Sequence, residues 1–357
     1  MGRSHNHFFD PRLVGILLGA ALVLLPGEDV AGAVEGEADA GVLSVPAEFV
    51  YTLRLPGLDD HVRRPAALFV DHAHGEVIVG DSGFNRLLIF DRDGLYRYEF
   101  DLADQVGSVV DLAVDSSGFM YVLGTSQRGR LVLKYDFDGV FLEECDLGDI
   151  DPYYIESMTI DDQDRLVIIE QTGLCTVVDS TGQVLSRFDT SAGLPDADAL
   201  EIVRGKPRVH QGLLYLPVST QGTVLVFELA SGQARPQIGF KGNTAGQLNF
   251  PVAVDVTPSG VVVVLDKMRF NVLCFTTSGR FLGEFGGKGY RDGWMYHPTL
   301  LAAVSENRVI VGQILDQRIQ VLQMPQFVFE RLPREAVPGR DADEESEVLP
   351  ESDPQSP

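Results

Sequence analysis

The sequence has few basic residues for its length. Over 357 residues, 28 Lys and Arg stand against 52 Asp and Glu, which gives a formal net charge of −24 at pH 7. Because an acidic surface repels phosphate backbones, this imbalance argues against nucleic acid as a partner. Its simplest consequence is solubility through repulsion between molecules.

Cysteine is scarce as well. Cys145, Cys175 and Cys274 are the three in the chain, and neither CxxC nor the haem-attachment pattern CxxCH occurs. The nucleophile-elbow pattern GxSxG is also missing, which removes one common arrangement for acyl transfer. We expect Cys175 and Cys274 to be buried on third strands of their repeats. Cys145 is predicted on an outer strand, either buried or as an exposed thiol.

No apolar run reaches the roughly 20 residues of a membrane-spanning helix. The longest, 13 residues from Leu13 to Leu25, follows Arg3 and Arg12 and precedes the small residues Ala31 to Ala33. This order predicts a signal peptide over residues 1–33. An uncleaved N-terminal anchor is the alternative, and it would be the only contact with a membrane. We therefore expect an exported protein, periplasmic or extracellular.

Two further segments fall outside the predicted domain. Residues 34–47 are predicted to be a linker. Residues 326–357 are rich in Pro, Glu, Asp and Ser and are predicted to form an acidic, disordered C-terminal tail, because so little apolar surface cannot offset the entropy of ordering.

Between these segments one pattern recurs. Its clearest copy, from Arg64 to Asp101, reads RPAALFVDHAHGEVIVGDSGFNRLLIFDRDGLYRYEFD. Short runs rich in Val, Leu and Ile alternate with Asp/Ser/Gly turns, which is typical of antiparallel strands. Asp71, Asp115, Asp161 and Asp255 are predicted to mark equivalent ends of first strands. A period of about 45 residues with four strands is typical of propeller blades.

The sixth copy of the pattern ends after three strands, near Gln323. Residues 48–57, EFVYTLRLPG, form an additional strand-like segment before the first copy. Placing that segment in the vacant position closes the ring and removes exposed sheet edges. The predicted fold over residues 48–325 is therefore all-β, a six-bladed β-propeller of four-stranded antiparallel blades closed by the N-terminal strand.

The repeats resemble a known family at particular residues. DSGFNR from Asp81 to Arg86, followed by LLIFDRDG, is similar to the core of the NHL repeat, and GKGYRDGWMYHP before the sixth copy resembles the family's Gly-rich linker. The resemblance extends over about residues 48–325 and implies a secreted bacterial member. NHL-type propellers commonly serve as interaction platforms, so the resemblance implies binding rather than catalysis.

In a propeller, the linkers between blades and the loops between second and third strands share one face, around the channel mouth. We expect a ligand or partner there, since loops on a rigid scaffold carry function. A carboxylate, a polysaccharide or other anionic ligand, or another envelope protein would suit its cations. The alternative is that Asp81 and Arg86 only brace the blades. The candidate residues are Arg64, Asp81, Asn85, Arg86, Gln127, Arg128, Arg130, Lys267, Arg269, His297, Asp316, Gln317 and Arg318.

A metal-dependent lyase or lactonase-like hydrolase is the competing prediction. Six-bladed enzymes that resemble this fold hold Ca²⁺ or Zn²⁺ on the channel axis with ligands at blade starts, where only Glu156 and His297 could ligate here. His210 would be a third ligand if the fourth blade turned it inward. Since a catalytic zinc normally has three protein ligands, we predict no metal, no cofactor and no catalysis. His72 and His74 are expected in an exposed turn on the opposite face.

Overall fold

The computed structural model describes residues 45–57, 61–102, 105–191, 194 and 201–332. The predicted signal peptide, most of the predicted linker and most of the acidic tail lie outside these residues. Within them, the chain forms 24 strands and one short helix. In chain order these are β1 (Glu48–Thr52), β2 (Pro65–Asp71), β3 (Glu76–Asp81), β4 (Arg86–Asp91), β5 (Tyr96–Asp101), β6 (Ser108–Val114), β7 (Met120–Ser126), β8 (Gly129–Tyr135), β9 (Phe141–Glu144), β10 (Ile155–Ile160), β11 (Leu166–Glu170), β12 (Leu174–Val178), β13 (Val184–Asp189), β14 (Arg208–His210), β15 (Leu213–Val218), β16 (Thr223–Glu228), β17 (Ala234–Ile238), β18 (Pro251–Val256), β19 (Val261–Asp266), β20 (Asn271–Thr276), β21 (Phe281–Gly286), β22 (Pro298–Ser305), β23 (Arg308–Gln313), β24 (Arg318–Gln323) and α1 (Gln326–Glu330).

The strands form six antiparallel four-stranded sheets, so the predicted fold class is confirmed. Blades one to five are the consecutive sets β2–β5, β6–β9, β10–β13, β14–β17 and β18–β21. Blade six has the order β1-β24-β23-β22, with Glu48 opposite Gln323 and Thr52 opposite Gln320. Apolar side chains on facing blades form the core; one cluster, for example, joins Ile310 of blade six to Val79 of blade one.

In blades one, two, three and five, the turn after the first strand is held by a side chain at its first position. Asp71, Asp115 and Asp161 each accept hydrogen bonds from backbone N–H groups two to four residues later. In blade five this role falls to Thr257, whose hydroxyl accepts from the N–H of Val261 at 3.0 Å. The predicted equivalence of Asp255 with the three aspartates was therefore wrong by two residues, because Thr caps such turns as well.

A left-handed residue ends the loop between second and third strands in all six blades. Glycine adopts this conformation freely, whereas a bulky side chain there costs about 1–2 kcal/mol. Phe270 is the outlier, with φ of 59°. The six residues are Asn85, Gly129, Gly173, Gly222, Phe270 and Gln317.

The ordered domain extends beyond both predicted boundaries. Ala47 is buried and Val45 forms a parallel bridge with Phe285, so residues 45–47 belong to the propeller rather than to a linker. At the other end, α1 buries Val328 completely, and Arg331 donates to the carbonyl of Leu282 at 3.1 Å. The predicted disordered tail therefore cannot begin at residue 326, because QFVFE supplies apolar side chains that blade five covers.

The cysteines follow the prediction of buried thiols. Cys175 and Cys274 are fully buried and Cys145 is partly buried, and none forms a disulfide. Burial raises the pKa of the Cys145 thiol to about 12, so this side chain is protonated near neutral pH. Among the described residues, no helix has the length and apolar character needed to cross a membrane.

Candidate functional site: the upper face

We define the upper face as the six loops between second and third strands together with the linkers that lead into each first strand. The antiparallel order of every sheet places all of these segments at the same end of the blades. All thirteen residues predicted for the binding site lie in these segments or next to them. The structure divides them into braces inside the propeller and side chains that are at least partly exposed.

Asp81 is a brace. Its carboxylate is fully buried and accepts hydrogen bonds from the backbone N–H groups of Arg63, Arg64 and Gly83 at 2.9–3.1 Å. Asp266 repeats this arrangement in blade five, where it accepts from the linker at Phe250 and from its own loop. Buried carboxylates satisfied by three backbone donors fix the linker against the loop, and they are not available to a ligand.

Three of the predicted arginines also point inward, with side chains only 10–12% exposed. Arg86 pairs with Glu99 at 2.9 Å, and Arg269 pairs with Glu284 at 2.6 Å. Arg318 pairs with Asp316 at 3.0 Å and donates to the carbonyl of Trp294 at 3.1 Å. The contacts of Asp81 and Arg86 therefore match the alternative interpretation, in which these two side chains brace the propeller.

Other predicted residues join neighbouring blades. Asn85 donates to the carbonyl of Val106, and Arg130 donates to the carbonyls of Ile155 and Glu156, all at 2.5–2.6 Å. These contacts connect blade one to the linker into blade two, and blade two to the start of blade three.

Other predicted residues keep exposed groups. Arg128 is 74% exposed and pairs with Glu144 at 2.8 Å. The ring of His297 packs edge-on against Tyr296 and Phe270. Ligand binding by the predicted set as a whole stays a prediction.

A second group of cations on the upper face is not paired. We call the six residues that follow the cationic arc: they lie in the linkers into blades five, six and one and in the blade-five loop. No member forms an ion pair with a described residue. The members are Arg63, Arg64, Lys241, Lys267, Lys288 and Arg291.

Exposed apolar side chains lie among the cations of the arc. Phe84, Phe240, Met268, Tyr290 and Leu315 are between 46% and 64% exposed, and they come from the same linkers and loops of blades five, six and one. Sequence reasoning found Arg64 and Lys267 but missed the rest. A signal was present, since Lys241 and Lys288 occupy the same place in the two Gly-rich linkers GFKG and GGKG.

The channel below this face is closed by charged side chains that the sequence did not predict. Lys206, in the linker into blade four, reaches Asp111 of blade two at 3.0 Å and also donates to the carbonyl of Val110 at 2.7 Å. Arg208 pairs with Asp255 of blade five at 3.0 Å. A cavity of about 40 Å³ remains among these side chains, which suffices for ordered water but not for a substrate.

The candidate metal ligands do not meet. His210 ends the first strand of blade four and so lies at the lower end, away from Glu156 and His297, which corrects the expectation of an inward third ligand. Glu156 is 3.6 Å from Arg204, and burial raises the pKa of Glu156 while it lowers that of Arg204. Within the described residues, no group of three or more His, Cys, Asp and Glu side chains is arranged to hold a metal ion.

His72 and His74 lie in the exposed lower turn of blade one, as predicted. His74 Nδ1 is 2.6 Å from the Asp71 carboxylate. That hydrogen bond raises the pKa of His74, whereas burial lowers the pKa of His72.

No protein-family model matches the chain. Over 83 residues it is 35% identical to RING finger protein nhl-1 of Caenorhabditis elegans, a match that covers 23% of this chain. The chain spans 8% of the length of that relative. This partial similarity, together with the fold, confirms the NHL-like character of the repeats.

Similar solved structures are propeller lyases. A streptogramin B lyase superposes with a TM-score of 0.53 at 15% identity, covering 77% of this chain and 87% of the other. A catalytically inactive histidine variant of Staphylococcus aureus virginiamycin B lyase with quinupristin gives 0.54 at 12% identity, covering 77% and 99%. At these identities the likeness shows the fold alone. The protein is a six-bladed β-propeller with partial similarity to an NHL protein.

Proposed function

We propose that this protein is an exported, non-enzymatic binding module of the cell envelope that holds an acidic segment of a partner protein on the cationic arc. The observation that carries the proposal is the coincidence, on one side of the upper face, of six cations that form no ion pair with any described residue and five exposed apolar side chains. Elsewhere on this acidic chain, cations are commonly paired with carboxylates, as in Arg97 with Asp91 and Arg165 with Asp161.

The charge of the arc favours an anionic partner. An unpaired surface cation keeps its full attraction for a ligand carboxylate, whereas a paired one must first give up its own partner. On a body with net charge −24, the arc is a local region of opposite sign, which steers acidic ligands and sets their orientation.

The apolar side chains of the arc supply affinity. Aromatic and Met side chains are enriched in protein interfaces, and here they stand on loops that Asp81 and Asp266 hold rigid. A preorganised surface loses little entropy on binding. The combination fits an acidic peptide with aromatic or aliphatic residues better than a purely polar ligand.

A direct test uses a labelled random copolymer of glutamate and tyrosine as the probe, with fluorescence anisotropy as the readout. Lys267→Glu removes a cation whose side chain forms no hydrogen bond or ion pair with a described residue, so the fold should be unaffected. We expect binding to weaken about tenfold, since reversing one charge near an exposed anion changes the free energy by about 1–1.5 kcal/mol.

Arg92→Glu is the matched control, because Arg92 is an exposed cation in a lower turn of blade one. It carries the same charge change and should leave binding nearly unchanged. If both variants weaken probe binding equally, the effect comes from the net charge of the protein, and the cationic arc is not the binding site.

A second candidate function, lyase or hydrolase activity, is supported by the likeness to streptogramin B lyases. Its test is incubation with quinupristin and mass spectrometry of the products, alongside elemental analysis of the purified protein. Turnover together with stoichiometric Ca²⁺, Mg²⁺ or Zn²⁺ would favour an enzyme over the binding module.

A further inference from the structure

The lower face, opposite the cationic arc, carries a pocket between blades one and two. Its volume is about 480 Å³, within the range of small-molecule sites in proteins. The walls come from the lower turns of the two blades and from the strands that enter and leave them. We call it the inter-blade pocket. Nothing in the argument that follows depends on the proposed function of the upper face.

The ionisable lining of the inter-blade pocket is acidic. Asp71, Glu76 and Asp138 line it together with His74, and no Lys or Arg does. Asp71 is committed to two backbone N–H groups of its own turn and to the ring of His74. The carboxylates of Glu76 and Asp138, in contrast, form no hydrogen bond or ion pair with the part of the chain that the structure describes. Burial and the nearby Asp71 raise the pKa of Glu76, whereas His74 and Arg97 lower it.

The rest of the lining is aromatic and apolar. The hydroxyl of Tyr98 in blade one donates to the carbonyl of Phe137 in blade two at 2.6 Å, which ties the two walls together. The Phe137 side chain is 63% exposed, and Met120 contributes a thioether. Aromatic rings attract cations through their quadrupole. Apolar walls pack against alkyl groups, which an organic ammonium has and a metal ion lacks. This lining therefore favours an organic cation.

We propose that the inter-blade pocket binds an alkylammonium group, such as a lysine side chain of a partner or a small amine. The ammonium head lies between the carboxylates of Glu76 and Asp138, and the alkyl chain packs along Tyr98, Phe137 and Met120. An anionic ligand would meet three carboxylates there. The upper face would then bind an anionic ligand and the lower face a cationic one.

The test uses N-acetyl-lysine methylamide as the probe and N-acetyl-norleucine methylamide as its control, which differs by lacking the ammonium group. Binding to the full-length protein is followed by protein-observed NMR titration. We expect the lysine probe to shift resonances of blades one and two and the norleucine probe to bind at least about tenfold more weakly. Equal binding of both probes, or shifts confined to other blades, would overturn the proposal, as would a failure of the lysine probe to bind at millimolar concentration.

Variants locate the site. Glu76→Gln should weaken the lysine probe about tenfold, because a charge-assisted hydrogen bond is replaced by a neutral one. Asp138→Asn changes an exposed turn residue, so it keeps the fold even if Glu76→Gln does not. Glu306→Gln, the same substitution in a lower turn of blade six, is the control and should have no effect. Unchanged affinity in both Glu76→Gln and Asp138→Asn would refute the assignment.

Discussion

Replacing Asp255 by Ala tests whether the charged network in the channel holds the ring together. The Asp255 side chain is 6% exposed and accepts from Arg208 at 3.0 Å and from the N–H groups of Val256 and Ala303, both at 2.8 Å. It thereby joins blade five to blades four and six. The substitution leaves a fully buried N–H group at Ala303 without its acceptor and a partly exposed guanidinium without its carboxylate.

The magnitude follows from these two losses. An unsatisfied buried donor costs about 1–3 kcal/mol, and breaking a buried ion pair costs about 3–5 kcal/mol. Since Arg208 is 23% exposed, water recovers part of the second cost. We expect Asp255→Ala to lower the free energy of unfolding by about 3–4 kcal/mol. Asp255→Asn, which keeps an acceptor oxygen, should cost about half as much.

Equilibrium unfolding in urea, followed by circular dichroism and by the fluorescence of the single tryptophan, Trp294, measures these differences. Asp93→Ala, an exposed turn aspartate in blade one, is the control and should change stability by less than about 0.5 kcal/mol. In a double-mutant cycle, Arg208→Ala should cost less in the Asp255→Ala background than alone. A loss under 1 kcal/mol for Asp255→Ala, or strict additivity in the cycle, would refute the reasoning.

Three further outcomes are expected. Gly129→Ala should lower the unfolding free energy by about 2 kcal/mol or more, measured in urea, because φ is 102° and a Cβ would lie 2.9 Å from the backbone carbon of Pro152. His74 should titrate above the ordinary value of about 6.5 by NMR, and Asp71→Asn should lower its pKa. The His74 contribution to stability is therefore present at acid pH and lost as pH rises through the folded pKa. Cys145 should react slowly with iodoacetamide at pH 7.5 and rapidly in urea, because burial raises its pKa to about 12.

The fold was predictable because each blade repeats a local signal. Short apolar runs and Asp/Gly turns specify strands and reversals from neighbouring residues alone, and six imperfect copies reinforce one another. The error at Asp255 arose because the local sequence offers two candidate capping residues. VAVDVTPSG contains both an aspartate and a threonine near the strand end, and strand register decides which one caps the turn.

The sequence by itself determined the positions of the turns and the loops that share the upper face, since these depend on contacts between residues close in the chain. It also determined the number of blades, because the pattern recurs six times. Only the tertiary structure decided which charged side chains are paired within the propeller. Arg86 is neutralised by Glu99 on the outer strand, whereas the Arg63 side chain forms no ion pair with a described residue. Lys206 reaches a carbonyl 96 residues away across the channel. Such pairings follow from how the ring brings distant strands together, and no local pattern encodes them.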